Sequence, residues 1–341
     1  MKVHPAIPHS TLFHALTSSK NATQPIFLQS GRRSSIILFE PPSAAWEIYM
    51  NGFVKYKNNP VFGNEETGTT FDAYVWRDGG RYRMDFSQRR KKACAVTFSD
   101  DGIHWCEPIV TLGADESTGW EDDINRNCVL KIDGIYKMWY TGQARGHSYI
   151  GYAESADGIN FERKSAEPIM IPELPWENAS VMNPCVLYED GKYRMWYSAG
   201  ETYEPNVLCY AESADGVNWR KSRINPIFVN NRSNVYEQER IGGCHILKID
   251  GMGYVMFYIG YEDIDTARIC VARSDDGITR WERSSLNPLL SPDAGKWDSA
   301  ACYKPTVCYN EAEDKWLLWY NGRTGEKEYI GYAEKSGKQL F

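Results

Sequence analysis

"FVKYKNNPVFG" (residues 53–63) stands near the start of the chain, yet its skeleton recurs far downstream. "WRKSRINPIF" from Trp219 and "WERSSLNPLL" from Trp281 share it: an aromatic, then Asn-Pro six residues on, then two apolar residues. "FERKSAEPIM" from Phe161 keeps the spacing with Glu167 in place of Asn. Between these stretches a second series reads "FSDDGIHW", "ESADGINF", "ESADGVNW" and "RSDDGITRW". Its glycines, Gly102, Gly158, Gly216 and Gly277, are spaced by 56, 58 and 61 residues. Self-similarity at such a period marks a repeat architecture. Each turn is preceded by two alternating apolar runs around a tight turn, as in "CVLKIDGIYKMWYTG" from Cys128 and "CVLYEDGKYRMWYSAG" from Cys185, the pattern of a β-hairpin.

Each repeat therefore predicts four antiparallel strands, and five repeats predict an all-β, five-bladed β-propeller, in which radial packing buries both faces of every sheet. The fifth copy, "IGYAEKSGKQ", reaches Gly337 and stops at Phe341 before a fourth strand. The 53–63 stretch is predicted to supply it, so that an N-terminal strand closes the ring and no sheet edge is left open. The domain boundaries expected are an N-terminal extension over 1–45, in which "SSIILFE" reads as a strand, and the propeller over 46–341.

Composition narrows the function. Among 341 residues, 45 Asp and Glu against 38 Lys and Arg give a net charge of −7, with no basic stripe, which argues against nucleic acid as the partner. No apolar run approaches the length of a membrane span, and no secretory leader is read at the N-terminus. Nine cysteines without a CxxC pair are expected to be buried thiols in a cytoplasmic protein. The 22 Tyr and 12 Trp suit a sugar-binding protein as well as a β-rich core.

The innermost strand of each blade faces the axis. Three residues before its recurrent Val or Ile stand Asp72, Arg126, Asn183, Gly243 and Lys304; period-2 alternation puts Tyr74, Cys128, Cys185, His245 and Thr306 on the same face. A structural register would repeat its residue type, and this one does not. By contrast Glu121, Glu177, Glu237 and Asp298 each follow an aromatic in a repeated pair, and are expected to be structural. Asp122, Asp123 and Glu239 break the repeat. Arg126, Arg240 and Lys304 suit a phosphate or carboxylate, and Arg145, Tyr203 and Arg323, after the second strands, are expected to ring the pocket with Asn183 and His245.

The blade count, the DG-x-W turns, the "MWY(T/S)G" strands and the Asp that opens the first blade resemble the five-bladed propeller glycosidases, glycoside hydrolase families 32, 43, 62, 68, 117 and 130. The resemblance covers about residues 46–341. It implies that Asp72 is a catalytic base or nucleophile. It places a general acid in the third blade, where this chain has Asn183, so the acid is assigned instead to Glu239, with Glu201 as the weaker choice and Asp123 as a supporting carboxylate. Two carboxylates across a funnel would cleave a short saccharide, one protonating the leaving oxygen and the other activating water. The first expectation is thus a glycoside hydrolase. The second is a phosphorylase or glycosyltransferase using phosphate or a sugar phosphate, and the third a non-catalytic carbohydrate-binding propeller. No metal or other cofactor is expected.

Overall fold

The computed structural model describes residues 52–341, apart from 202 and 204. The extension over 1–45, with its "SSIILFE" stretch, lies outside the described residues. The rest is built from antiparallel strands in five successive repeats. The first holds β2 (Thr70–Asp78), β3 (Arg81–Gln88), β4 (Ala93–Ser99) and β5 (Ile109–Gly113). The second holds β6 (Asp123–Ile132), β7 (Ile135–Ala144), β8 (His147–Ser155) and β9 (Glu162–Arg163), and the third β10 (Ser180–Glu189), β11 (Lys192–Gly200), β12 (Pro205–Ser213) and β13 (Arg220–Lys221). The fourth holds β14 (Arg240–Ile249), β15 (Gly253–Tyr261), β16 (Ala267–Ser274) and β17 (Glu282–Arg283). The fifth has β18 (Ala301–Asn310), β19 (Lys315–Thr324) and β20 (Lys327–Ser336), and its outer strand is β1 (Val54–Lys55). There Val54 pairs with Glu334 and Lys55 with Ala333, and Phe62 bridges Ile330.

The N-terminal stretch reproduces the contacts of the outer strands it resembles. The side-chain amides of Asn225 and Asn287 each pair with both backbone groups of one residue on the neighbouring strand, Tyr210 and Val271. Asn59 does the same to Tyr332 from the other end of the chain. Glu167, lacking an amide donor, cannot make this pair.

The repeated acids are buried structural groups, as expected. Glu121 accepts from Tyr140 and pairs with Arg163; Glu177 accepts from Tyr197 and pairs with Lys221. Glu237 accepts from Tyr258 and pairs with Arg283. In the fifth repeat Asp298 accepts from Tyr320 at 3.0 Å, and its cation is Lys55 at 2.6 Å. Each acid ties an inner strand to an outer one, and the last tie is made by the N-terminal segment.

Neighbouring repeats are stapled through the glycine turns. The Trp139 indole donates to the Gly216 carbonyl at 2.7 Å, Trp196 to Gly277 at 2.7 Å and Trp319 to Gly102 at 2.8 Å. In the first repeat Asp85 stands at the Trp position, and Arg83, two residues earlier and paired with Asp85, reaches over to donate to Gly158 at 2.7 Å. Gly102, Gly158, Gly216 and Gly277 hold φ between 75° and 82°, where a side chain is strained and a Cβ would press on the neighbouring repeat's aromatics or on Arg83. The staple from Trp319 to Gly102 packs the fifth repeat against the first.

If residues 53–62 complete the fifth repeat, Lys55→Met should leave Asp298 buried without its cation and lower stability by about 3 kcal/mol, the lower end for breaking a buried pair. Urea unfolding checks this. Deleting residues 1–62 should abolish cooperative unfolding, and an unchanged transition in the truncated protein would contradict the assignment.

Candidate active site

The five innermost strands β2, β6, β10, β14 and β18 are interrupted at one shared register. Pairing with the second strand of each repeat slips between Phe71 and Tyr74, Asn125 and Cys128, Met182 and Cys185, Gly242 and Cys244, and Tyr303 and Thr306. At each slip one residue is left-handed: Asp72 (φ 56°), Arg126 (55°), Asn183 (54°), Gly243 (35°) and Lys304 (47°). These are the five residues singled out by register. Simple alternation does not relate them to Tyr74, Cys128, Cys185, His245 and Thr306, because a β-bulge intervenes and re-aims the side chain. Four of the five are not glycine, and the left-handed conformation costs each of them about 1–2 kcal/mol. Strain of this kind, held by surrounding structure, is a pointer to function.

What holds the bulges is a cap from the preceding repeat. Ser87 Oγ accepts from the Arg126 N–H at 2.9 Å, Thr141 Oγ1 from Asn183 at 3.1 Å and Ser198 Oγ from Gly243 at 3.0 Å. Asn321 Oδ1, in the last repeat, accepts from Asp72 in the first at 3.1 Å. Two residues beyond each bulge a second ring of acceptors works likewise: Thr306 on Val75, Cys128 on Val186, Cys185 on Ile246 and His245 Nδ1 on Val307. His245 is therefore placed beneath the pocket, its ring committed to a backbone N–H. Burial and the charge of Lys304 push its pKa down to about 3, so it stays neutral.

Above this ring lies a cavity of about 270 Å³ lined by Asp72, Arg89, Arg126, Asn183, Arg323 and Glu328 on its polar side. Asp72 and Asn183 are each only 3% exposed, and one carboxylate oxygen of Asp72 and the amide oxygen of Asn183 have no hydrogen-bond partner. The Arg126 Nε lies 3.7 Å from Asp72 Oδ2. Burial lifts the Asp72 pKa above the ordinary carboxylate value; Arg126 and Lys304 pull it down, Glu328 pushes it up, and the net direction is upward. Arg89 pairs with Glu328 at 3.1 Å and stacks on Phe71.

Among the residues expected from sequence, Asp72, Arg126, Asn183 and Arg323 meet in this cavity, with Lys304 buried beside Gly243 and Asn183. Asp123 and Tyr203 line an adjoining chamber of about 380 Å³, which shares Phe71, Arg89 and Arg126 with the first. Burial raises the Asp123 pKa. The Tyr203 carbonyl accepts from Arg126 at 3.3 Å, and its phenol oxygen from the Gly146 N–H at 3.3 Å. Glu239, Arg240 and Arg145 are not brought into either chamber: Glu239 is exposed, Arg240 lies buried against the Tyr261 ring, and Arg145 is exposed on the turn after β7. Sequence reasoning missed Arg89, Tyr303 and Glu328. Arg89 sits in the run "RRKK", where nothing but strand pairing reveals that it holds the same register as Arg323. Glu328 sits among the charges of "GEKEY".

Comparison with known proteins places this geometry. A solved structure described as showing that the GH130 family of mannoside phosphorylases contains hydrolases of β-1,2-mannosidic linkages in Candida mannan superposes with a TM-score of 0.67 at 18% identity, covering 89% of this chain and 97% of that one. The β-1,2-mannobiose phosphorylase of Listeria innocua superposes with a TM-score of 0.62 at 14% identity, covering 83% and 96%. These neighbours share a propeller-like all-β fold with this chain. In sequence, an uncharacterized protein of Mycobacterium tuberculosis is 28% identical over 276 residues, covering 73% of this chain and 88% of its own length. The 1,2-β-oligomannan phosphorylase of a Thermoanaerobacter species is 36% identical over 176 residues, 47% of this chain and 57% of that protein. The model of the β-1,4-mannooligosaccharide phosphorylase family matches residues 130–335, well over half of the sequence, and the chain belongs to that family of enzymes, glycoside hydrolase family 130.

Proposed function

We propose that this protein is a phosphorylase that cleaves a short, neutral mannoside with inorganic phosphate, the alternative to plain hydrolysis. The observation that carries this reading is one deeply buried carboxyl, Asp72, in a cavity that also gathers Arg89, Arg126 and Arg323, with the charge of Lys304 acting on it from outside the lining. Hydrolysis requires two working carboxyl groups. Here the bulge register that implied a second one holds Asn183, Glu239 is outside the cavity, and Glu328 is engaged with Arg89. An anionic nucleophile needs no carboxylate to activate it, only cations to hold it, and guanidinium groups suit phosphate oxygens. The relatives whose names specify an activity include two phosphorylases of β-1,2-mannosides, which supports the same reading.

In this mechanism Asp72 acts as general acid rather than as base or nucleophile. Its proton goes to the glycosidic oxygen as that bond to the anomeric carbon breaks. A phosphate oxygen forms the new bond to the same carbon, and the proton lost by hydrogen phosphate restores Asp72. A pKa raised by burial favours the protonated form that a general acid needs. Asp123, in the adjoining chamber, is placed to meet the leaving sugar rather than the reacting bond.

The reading extends to the whole chain. Residues 46–341 form a five-bladed propeller whose ring is closed by the 53–62 segment, with residues 1–45 as an extension. Supporting it are the cap from Asn321 to Asp72 and the staple from Trp319 to Gly102, both from the fifth repeat to the first. All nine cysteines are free and all but Cys106 and Cys308 are buried, which suits a reducing cytoplasm.

Turnover of β-1,2-mannobiose should depend on phosphate and release mannose 1-phosphate; equal turnover in its absence would restore the hydrolase reading. Asp72→Asn should lower that turnover at least about a hundredfold. Replacing Arg126 and Lys304 together by Met should abolish the rise in melting temperature that millimolar phosphate gives the parent, since a ligand stabilises only the state that binds it.

Asp72 also has a stability signature. A carboxyl whose folded pKa is raised binds its proton more tightly in the native state, so its contribution falls as pH rises from the ordinary carboxylate value through the folded one. Asp72→Asn should therefore melt above the parent at pH 7, with the gain shrinking as pH is lowered through the raised folded pKa and levelling off below about 4, where the unfolded carboxyl is protonated too. A variant that is less stable at neutral pH would contradict the raised pKa.

A further inference from the structure

Three registers of the repeat converge on a surface that the reaction leaves unused. Three residues before the bulge stand Thr69, Asp123, Ser180, Arg240 and Ala301. The bulge-capping register of the second strand holds Ser87, Thr141, Ser198, Ile259 and Asn321. On the third strand the aligned residues are Lys92, Ser148, Asn206, Ala267 and Glu328. Each register is polar in four repeats and apolar in one. The three exceptions meet in space: Ile259, Ala267 and Ala301 form a small buried cluster of their own, with Tyr261 and Tyr303 packed against it. All five line the active-site cavity. Ala267 and Ala301 lie side by side across a parallel bridge, the position that Ser148 and Ser180 hold between the second and third repeats.

A packing requirement common to the fold would have made these positions apolar in every repeat. Their departure at one wall of one cavity points to what the cavity holds. Facing that wall are the unpartnered oxygens of Asp72 and Asn183, which accept hydrogen bonds. A pyranose is amphipathic in the matching sense, with hydroxyl groups around its edge and C–H bonds on its faces. We propose that Ile259, Ala267 and Ala301, between Tyr261 and Tyr303, form the specificity surface for the glycosyl ring that is transferred. The wall takes the C–H face of a neutral pyranose while Asp72 and Asn183 receive its hydroxyls, and a sugar bearing a charged group on that face is shut out by desolvation. The two small alanines set the depth of the niche. The inference rests on the saccharide reading of the cavity but not on the identity of the nucleophile.

Two variants test it in the full-length protein. Ala267→Val adds bulk in the niche, and an unaccommodated methylene in such a pocket is worth about tenfold or more in discrimination. The double variant Ala267→Ser with Ala301→Ser restores the pair that the fold already accepts at Ser148 and Ser180, so it should fold and melt like the parent. It buries hydroxyls against the ring, and should weaken saccharide binding by about tenfold. The readouts are KM for β-1,2-mannobiose, KM for phosphate, and the calorimetric Kd for β-1,2-mannobiose without phosphate, with β-1,3- and β-1,4-mannobiose measured alongside. We expect KM and Kd for the preferred disaccharide to rise about tenfold in both variants, with KM for phosphate unchanged. Unaltered saccharide Kd in both variants overturns the proposal, as does a parent that binds none of the three disaccharides. Phosphate-independent turnover would overturn the phosphorylase reading alone, because the saccharide Kd still reports on the wall.

Discussion

A backbone N–H turned out of its ladder and caught by a side chain from the neighbouring repeat is the contact on which the site depends. At Asp72, Arg126, Asn183 and Gly243 the innermost strand bulges, and the amide thus freed is capped by Asn321, Ser87, Thr141 and Ser198. A buried N–H without a partner costs more than a hydrogen bond returns, so the cap makes a left-handed residue tolerable there. The bulge in turn lifts one side chain per repeat out of the alternating pattern. Released from packing, these five positions carry an acid, two cations, an amide and a glycine, while the residues on either side keep the repeat.

The same contact couples architecture to chemistry. Asp72 belongs to the first repeat and its cap to the last, so its orientation depends on how the two ends of the chain meet. The buried pair of Lys55 and Asp298 and the amide of Asn59 on Tyr332 hold the outer edge of that junction. Within it the cavity gathers a carboxyl with an unsatisfied oxygen, several cations and strained backbone. None of this stabilises the free protein; each is offset by the staples and buried acid ties around it.

Much of this was legible in the sequence because repetition separates what the fold needs from what it does not. The spacing of Gly102, Gly158, Gly216 and Gly277 gave the strand order, and "FVKYKNNPVF" was recognisable as an outer strand out of place. The repeated Trp-Glu pairs declared themselves structural. The bulge register was found by counting, although the bulge itself was not, since a single inserted residue leaves no mark in an apolar alternation. That is why His245 looked like an axial ligand when it is a backbone acceptor below the cavity. Glu239 was chosen for breaking the pattern, but it is exposed and lines neither chamber, whereas Asp123, at a neighbouring register of the second repeat, does. Arg89 and Glu328 were missed because their partnership crosses from the first repeat to the last, and no local signal records it.

The account stands most directly on the protonation state of Asp72. A ¹³C NMR titration of its carboxyl carbon, assigned by difference against Asp72→Asn, reads that state without any need for the natural substrate. The account predicts a midpoint above the ordinary carboxylate range, moving higher when phosphate occupies the cavity and adds negative charge beside it. A midpoint at or below the ordinary value, unmoved by phosphate, would mean that Arg126 and Lys304 hold Asp72 ionised, and would contradict its role as the acid.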